Sequence, residues 1–283
     1  MKKLLFSFSA ALFLLTACQK EISLELPDSD PGSGGGGNTA QGLLTRTAFV
    51  AGADSVVTQY TYDGAKRLAT FTYTSTGGGN QFKRIVRNNA GVMTGFVTKS
   101  EELLTLGIDS LETRMVYDNA LNRYRYSVST LLLGGSDYSD STAYTYDNNG
   151  NLIGKESFAK VGPAPYLPYQ KVEYTYGSGN TMSEEYYSID NNGNWESLGT
   201  YNYSYDAKLN PIKLGVEGMI VLDDGTFFSN NNVTSLSFVD SADPTSNFSL
   251  TTTFVYNSAD KPASGTAVET PGSGSYTLRY YYN

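Results

Sequence analysis

Tyr144-Thr145-Tyr146-Asp147-Asn148-Asn149-Gly150-Asn151-Leu152 is the stretch that decides the fold. Side chains alternate along an extended chain, so Tyr144 and Tyr146 share one face while Thr145 takes the other. Asp147 suits the first position of a type I turn, where its carboxylate accepts backbone hydrogen bonds. Gly150 suits the fourth, where a left-handed residue closes the turn with a bulge. Leu152 then opens a second apolar strand. These nine residues predict the corner of a β-hairpin.

The phrase recurs at Tyr60-Thr61-Tyr62-Asp63, Tyr174-Thr175-Tyr176-Gly177, Tyr203-Ser204-Tyr205-Asp206 and Phe254-Val255-Tyr256-Asn257. Met115-Val116-Tyr117-Asp118 and Ile85-Val86-Arg87-Asn88 are weaker copies. Its second aromatic position falls at 87, 117, 146, 176 and 205, at intervals of 30, 29, 30 and 29. A fixed period in this range marks a repeat architecture. The ends depart from it, by 25 residues from 62 to 87 and by 51 from 205 to 256. Either a degenerate copy or an insertion therefore lies around Ile220 to Phe238. Val172, Tyr174 and Tyr176 alternate with Lys171, Glu173 and Thr175, and Tyr201, Tyr203 and Tyr205 alternate with polar residues in the same way. Strict alternation of this kind predicts half-buried strands. Long helical periodicity is absent. The expected fold is all-β: an antiparallel meander of repeated hairpins forming a curved, twisted sheet, aromatic on its buried face and wetter on the other.

Tyr-x-Tyr-Asp-x-x-Gly-x-Leu, matched position for position by Tyr144 to Leu152, resembles the YD repeat of Rhs-type bacterial proteins. That resemblance implies a continuous curling sheet, which in the largest members encloses a toxin. The chain departs from the family in its longer period and in the absence of a toxin domain or self-cleaving core. It more closely resembles the short YD-like lipoproteins of Bacteroidota. The resemblance implies architecture, not chemistry.

The amino terminus sets the address. Lys2 and Lys3 precede an apolar run from Leu4 to Leu15, too short to span a membrane comfortably and flanked as a secretory signal is. Cys18 is the sole cysteine of the 283 residues, and it stands directly after Leu15-Thr16-Ala17. This tetrapeptide resembles the lipobox of bacterial lipoproteins. The resemblance implies cleavage before Cys18, diacylglycerol on its sulfur and further acylation, as by palmitate, of the new amino terminus. Several acyl chains at ~0.8 kcal/mol per buried methylene hold a protein stably to a bilayer. Residues 18–41, with Pro27, Pro31 and Gly32-Ser33-Gly34-Gly35-Gly36-Gly37, bury almost nothing and read as a flexible tether. Gln19-Lys20-Glu21 resembles the short export signals of Bacteroidota surface lipoproteins. The expected organisation is a signal peptide over 1–17, a lipid-anchored tether over 18–41 and a β-repeat domain over 42–283. The expected location is the outer membrane, facing either the periplasm or the cell surface.

Composition narrows the chemistry. Losing residues 1–17 removes two of the 20 Lys and Arg, leaving 18 against 28 Asp and Glu and a formal charge of −10. So acidic a chain is a poor partner for nucleic acid. It contains no histidine, which removes the commonest general base, the usual metal ligand and every Ser-His or Cys-His nucleophile. Asp147 to Asn151 and Asp190 to Asn194 are rich in oxygen ligands, but their Gly is fourth where a calcium loop needs it sixth. No cofactor, metal or catalytic residue is expected. Glu101-Glu102, Glu184-Glu185 and Asp223-Asp224 are the residues of an alternative reading, a carboxylate-dependent glycan hydrolase. Neighbours on a strand face opposite ways, so such a pair has to come from different strands. Repeated tyrosines read as core. Trp195, outside the phrase, is the expected ligand-binding aromatic. The leading expectation is a non-enzymatic envelope lipoprotein, presenting a β-repeat platform to a glycan or protein partner or serving a structural role.

Overall fold

The computed structural model describes residues 42–133, 135–272 and 274–283. Cys18, the signal and the tether lie outside the described residues. Two strands make each repeat unit. β1 (Leu44–Ala51) and β2 (Asp54–Tyr62) form the first, followed by β3 (Leu68–Ser75) with β4 (Gln81–Arg87). β5 (Met93–Ser100) pairs through a short helix, α1 (Glu101–Thr105), with β6 (Leu111–Asp118). β7 (Arg123–Leu133) with β8 (Ser136–Tyr146) and β9 (Leu152–Val161) with β10 (Leu167–Gly177) come next. β11 (Asn180–Ile189) with β12 (Trp195–Leu209), β13 (Asn231–Asp240) with β14 (Phe248–Tyr256), and β15 (Pro262–Thr270) with β16 (Ser275–Tyr282) complete the set. The second aromatic position of the phrase, held by Arg87 in β4, stands at or beside the end of each even strand except β12, which runs on from Tyr205 to Leu209.

The sheet closes. β16 pairs antiparallel with β1, Thr47 facing Tyr280 and Phe49 facing Leu278, so sixteen strands form a barrel. The expected all-β antiparallel meander is present, and its curved sheet is corrected to a closed barrel. The register slips after Thr61, Val86, Val116, Thr145, Thr175 and Val255, each time opposite the residue that follows the turn. A bulge bends its strand and increases local twist, and one bulge per unit curls the meander round until its edges meet. Closure then pairs the edge groups of β1 and β16 that an open sheet would leave exposed.

The turn chemistry is as the residues dictate. Asp147 Oδ1 accepts from the amides of Asn149 and Asn151, and Gly150 sits at φ 84°. Asp190 and Gly193 repeat the arrangement. The tyrosine that precedes the turn has its own recurrent bond. Tyr62 Oη donates to the Leu44 carbonyl at 2.8 Å, Tyr176 to Leu152 at 2.5 Å and Tyr282 to Pro262 at 2.8 Å. Tyr205 donates likewise to Thr181. Arg87, standing where the phrase has tyrosine, sends Nη2 to the Leu68 carbonyl at 3.3 Å. Each acceptor is the first or second residue of the preceding strand, so the ring locks the open end of its own unit.

Inside and outside differ as the alternation requires. Tyr60, Val172, Tyr174 and Tyr203 are buried inward, while Thr61, Glu173, Thr175, Asn202, Ser204 and Thr251 stand exposed outward. Cross-strand hydroxyl pairs tile the outer face, as at Thr61–Thr70 and Thr175–Ser183, both 2.6 Å apart. A lipid-facing barrel carries an apolar band on its outside. On this wall the exposed apolar residues, Val86, Val239, Val255 and Val268 among them, stand between polar ones.

Sixteen strands enclose more space than their own side chains fill. The chain fills it with an insertion, settling the gap between 205 and 256. Between β12 and β13 it forms α2 (Gly215–Leu222) and a 3-10 turn, Gly225–Phe228. Met219, Ile220 and Val221 are buried against Met93, Leu152, Tyr174 and Tyr186 of the wall. Ile212, Leu214 and Phe227 reach the other half of the barrel, against Leu44, Tyr60 and Leu68. The plug enters from the end that carries the turns after the even strands, those of Asp63, Asp118 and Asp147 among them. The first described residues are at that end too, where Gly42 N donates to the Asn283 carbonyl.

Candidate functional site

Polar contacts fix the plug from several strands. Lys83 Nζ donates to the Val221 carbonyl at 2.5 Å, and Lys155 pairs with Asp223. Arg87 grips Glu217 through two bonds of 2.6 and 2.9 Å. Glu184 Oε1 accepts from the Gly225 amide at 2.8 Å and from Tyr203 Oη at 2.9 Å, while Oε2 accepts from Tyr186 Oη at 2.9 Å. A Cβ on Gly225 would stand 2.6 Å from Glu184 Oε1, so this approach requires glycine. Glu184 is 1% exposed. Burial and the neighbouring Asp224 carboxylate push its pKa up to about 7, against the pull of Lys155 and the tyrosine hydroxyls. Burial likewise brings Lys83 down to about 8, opposed by Asp223 and helped by Lys155.

Lys155 and Glu184 break the repeat. Counted from the turn they take the position that Phe71 and Phe96 occupy in earlier units, the first inward residue beyond the bulge. Their charges serve the plug. Glu185 faces outward and accepts from Ser197 Oγ, as strand alternation demands. Asp224 accepts from Thr226 N and Oγ1 at the start of the 3-10 turn, and Glu101 accepts from Gly79 N and Asn80 Nδ2. None of the carboxylate candidates named from sequence lines the clefts described next.

Two clefts open at the turn end, beside β6 to β9. One, of about 700 Å³, lies in the mouth between the turns after β4, β6 and β8 and the start of α2. Tyr117, Asn122, Tyr146, Asn148 and Glu217 line it. The other, of about 780 Å³, runs down the outer wall past Arg125, Tyr126, Ser141, Thr145 and Phe158. Leu121, Arg123, Tyr124 and Tyr146 belong to both, so the clefts meet across the rim. The Arg123 guanidinium lies 5.4 Å from the centre of the Tyr146 ring. Tyr117 and Tyr124 meet edge to face at 4.9 Å, and Tyr117 Oη donates to Asn122 Oδ1 at 2.5 Å. Tyr124 Oη donates to Glu217 Oε1 at 2.5 Å; burial, and then that carboxylate, raise its pKa.

A bulge makes the outer half. Tyr117 faces Tyr124, and Val116 faces Tyr126, leaving Arg125 without a cross-strand partner. Tyr124 consequently points inward, 5% exposed, and Tyr126 points out, 38% exposed. These residues were not singled out from the sequence, although the alternation Arg123-Tyr124-Arg125-Tyr126, basic and aromatic by turns, is the signal that points to them. The bulge that splits its two rings between faces is not legible there.

Trp195 lies elsewhere. It begins β12 at the opposite end of the barrel, half-buried on the outer wall with Lys171 Nζ 5.5 Å from its ring centre. Lys171 also stands 4.1 Å from the Tyr187 ring. The structure does not bring Trp195 to the rim clefts. Among the described residues no group of three or more Asp, Glu or Cys is placed to hold a metal ion.

No family model matches this chain, and no curated protein matches it. Solved structures do. A porin-like protein from Bacteroides uniformis ATCC 8492 aligns with a TM-score of 0.51 at 12% identity, over 85% of this chain and 98% of that one. A porin-like protein from Bacteroides vulgatus ATCC 8482 aligns with a TM-score of 0.52 at 12% identity, over 86% and 99%. A TcdB2-TccC3-TEV structure gives a TM-score of 0.25 at 16% identity over 80% of this chain and 10% of that one, too slight to bear on the fold. What this chain shares with the two Bacteroides proteins is the architecture of its barrel.

Proposed function

We propose that this chain is a lipid-anchored outer-membrane lipoprotein whose YD-like barrel stands in water and binds glycan, without catalysis, at the rim cleft beside β6 to β9. The observation that carries the reading is the pair of clefts joined across Leu121, Arg123, Tyr124 and Tyr146. Sugars are held by aromatic faces together with planar hydrogen-bonding groups, and the cleft offers Tyr117, Tyr126, Tyr146 and Phe158 beside Asn122, Asn148 and Arg123. Its extent over the rim suits a chain of sugars rather than one ring. The rim is also rigid: its turns are closed by their own Asp or Asn carbonyl and carboxylate bonds. Little ordering entropy is lost on binding to such a site.

The lipobox at Cys18 and the hydroxyl-lined outer wall together support this reading of location. Lipid on Cys18 would hold the barrel to the membrane, and the polar exterior keeps the strands out of it. The test of binding is a glycan array probed with residues 42–283, which close the barrel by themselves, alongside the same chain carrying Tyr126→Ala and Tyr146→Ala. Binding to an oligosaccharide, weakened at least tenfold by either substitution, supports the reading. Absence of binding to every glycan refutes it. The anchor is tested separately by radiolabelled palmitate in cells, and label retained in Cys18→Ala would overturn it.

A further inference from the structure

We infer that the ligand of the rim cleft is an acidic glycan, one whose sugars carry carboxylates, and this deepens the binding reading above and rests on it. The inference comes from the charges in the cleft and from which of them are already engaged. Asp118 Oδ1 is taken by the amides of Ala120 and Leu121. Asp147 is taken by the amides of Asn149 and Asn151 and by Asn151 Nδ2. Glu217 is held between Arg87 and Tyr124. These carboxylates keep their negative charge, and all are hydrogen-bonded within the fold.

The cations are not. Arg123 and Arg125 make no ion pair or side-chain hydrogen bond among the described residues; Arg123 stands over the Tyr146 ring and faces Asp118 across the two strands. The half-buried Arg123, shared by both clefts, and the exposed Arg125, on the outer cleft, lie two residues apart in a chain whose overall charge is strongly negative. Arg125 occupies the bulge position that recurs along the barrel, filled by Ala69, Thr94, Ile153 and Met182 elsewhere, and here that outward position carries a cation. Guanidinium forks match carboxylates through two parallel bonds, and the exposed Tyr126 ring and Phe158 beside them give the sugar plane a surface to lie on. Arg123 in the mouth and Arg125 on the wall would meet acidic groups on successive sugars.

The experiment compares one backbone in two charge states. Oligogalacturonides and their methyl esters, which differ only in the carboxylate, are titrated calorimetrically into residues 42–283 and into Arg123→Gln and Arg125→Gln chains. Sialylated oligosaccharides form a second arm that separates a uronate from a sialate source. The expected result is at least tenfold tighter binding of an acidic ligand than of its neutral counterpart. That preference should fall with salt and be lost in either Arg variant, with the circular dichroism unchanged. Equal binding of the acid and its ester would overturn this inference and leave the glycan reading standing. Preference for neutral glycans on the array would do the same. No binding in any arm or on the array would sink both.

Discussion

Replacing Glu184 by Gln should make the barrel more stable above neutral pH and leave it nearly unchanged in mild acid. The geometry admits the change. The Gln carbonyl keeps the Gly225 amide and Tyr203 hydroxyl, and its amide can donate to the Tyr186 oxygen. The magnitude comes from the raised pKa, about 7 in the fold against 4.5 for an ordinary glutamate. At about 1.4 kcal/mol per unit, the full difference is about 3 kcal/mol. The folded state holds its proton more tightly than the unfolded one. Its contribution to stability is therefore complete below about pH 4.5 and is lost as pH rises through about 7. Glutamine mimics the protonated acid at every pH. Urea unfolding at half-unit steps from pH 5 to pH 8 should find the two proteins close at pH 5. At pH 8 the variant should be ahead by about 2 to 3 kcal/mol. Parallel stability curves for the two proteins would refute the reasoning, since Glu184 would then be titrating as it does in the unfolded chain.

Three further outcomes follow from the same wall and plug. Lys155→Gln removes a positive charge that holds the Glu184 pKa down, so the pH at which stability falls should move upward from about 7 in the same titration. Tyr176→Phe deletes the hydroxyl bond to the Leu152 carbonyl and should cost about 1 kcal/mol in urea unfolding, with the fold intact by circular dichroism. Gly225→Ala drives a methyl group against Glu184 Oε1 and Thr181 Cγ2 and should cost about 1 to 3 kcal/mol, with faster amide exchange across residues 215–228.

The sequence by itself determined the local physics. Period-two alternation placed Tyr174 and Tyr203 inward and Thr175 and Ser204 outward, because a strand gives its residues no other choice. Asp147 and Gly150 wrote their own turn, since its bonds run between residues only two to four apart. The 29- and 30-residue spacing marked the repeated hairpins, and the long interval after Tyr205 left either a degenerate copy or an insertion open. Closure was decided only in three dimensions. It depends on a small bend added at every bulge, and no single unit carries that sum. The insertion's place inside the barrel came from volume, since sixteen strands leave a space that Met219, Ile220 and Val221 fill. The rim cleft came from both levels. Arg123-Tyr124-Arg125-Tyr126 supplied its chemistry, but the turns after β4, β6 and β8 that complete it lie far apart in the chain. Trp195 drew notice as the odd aromatic along the chain, yet the barrel sets it at the other end from the cleft. Position along the sequence fixes which face a side chain takes between bulges, whereas the bulges and the closed barrel decide which faces meet.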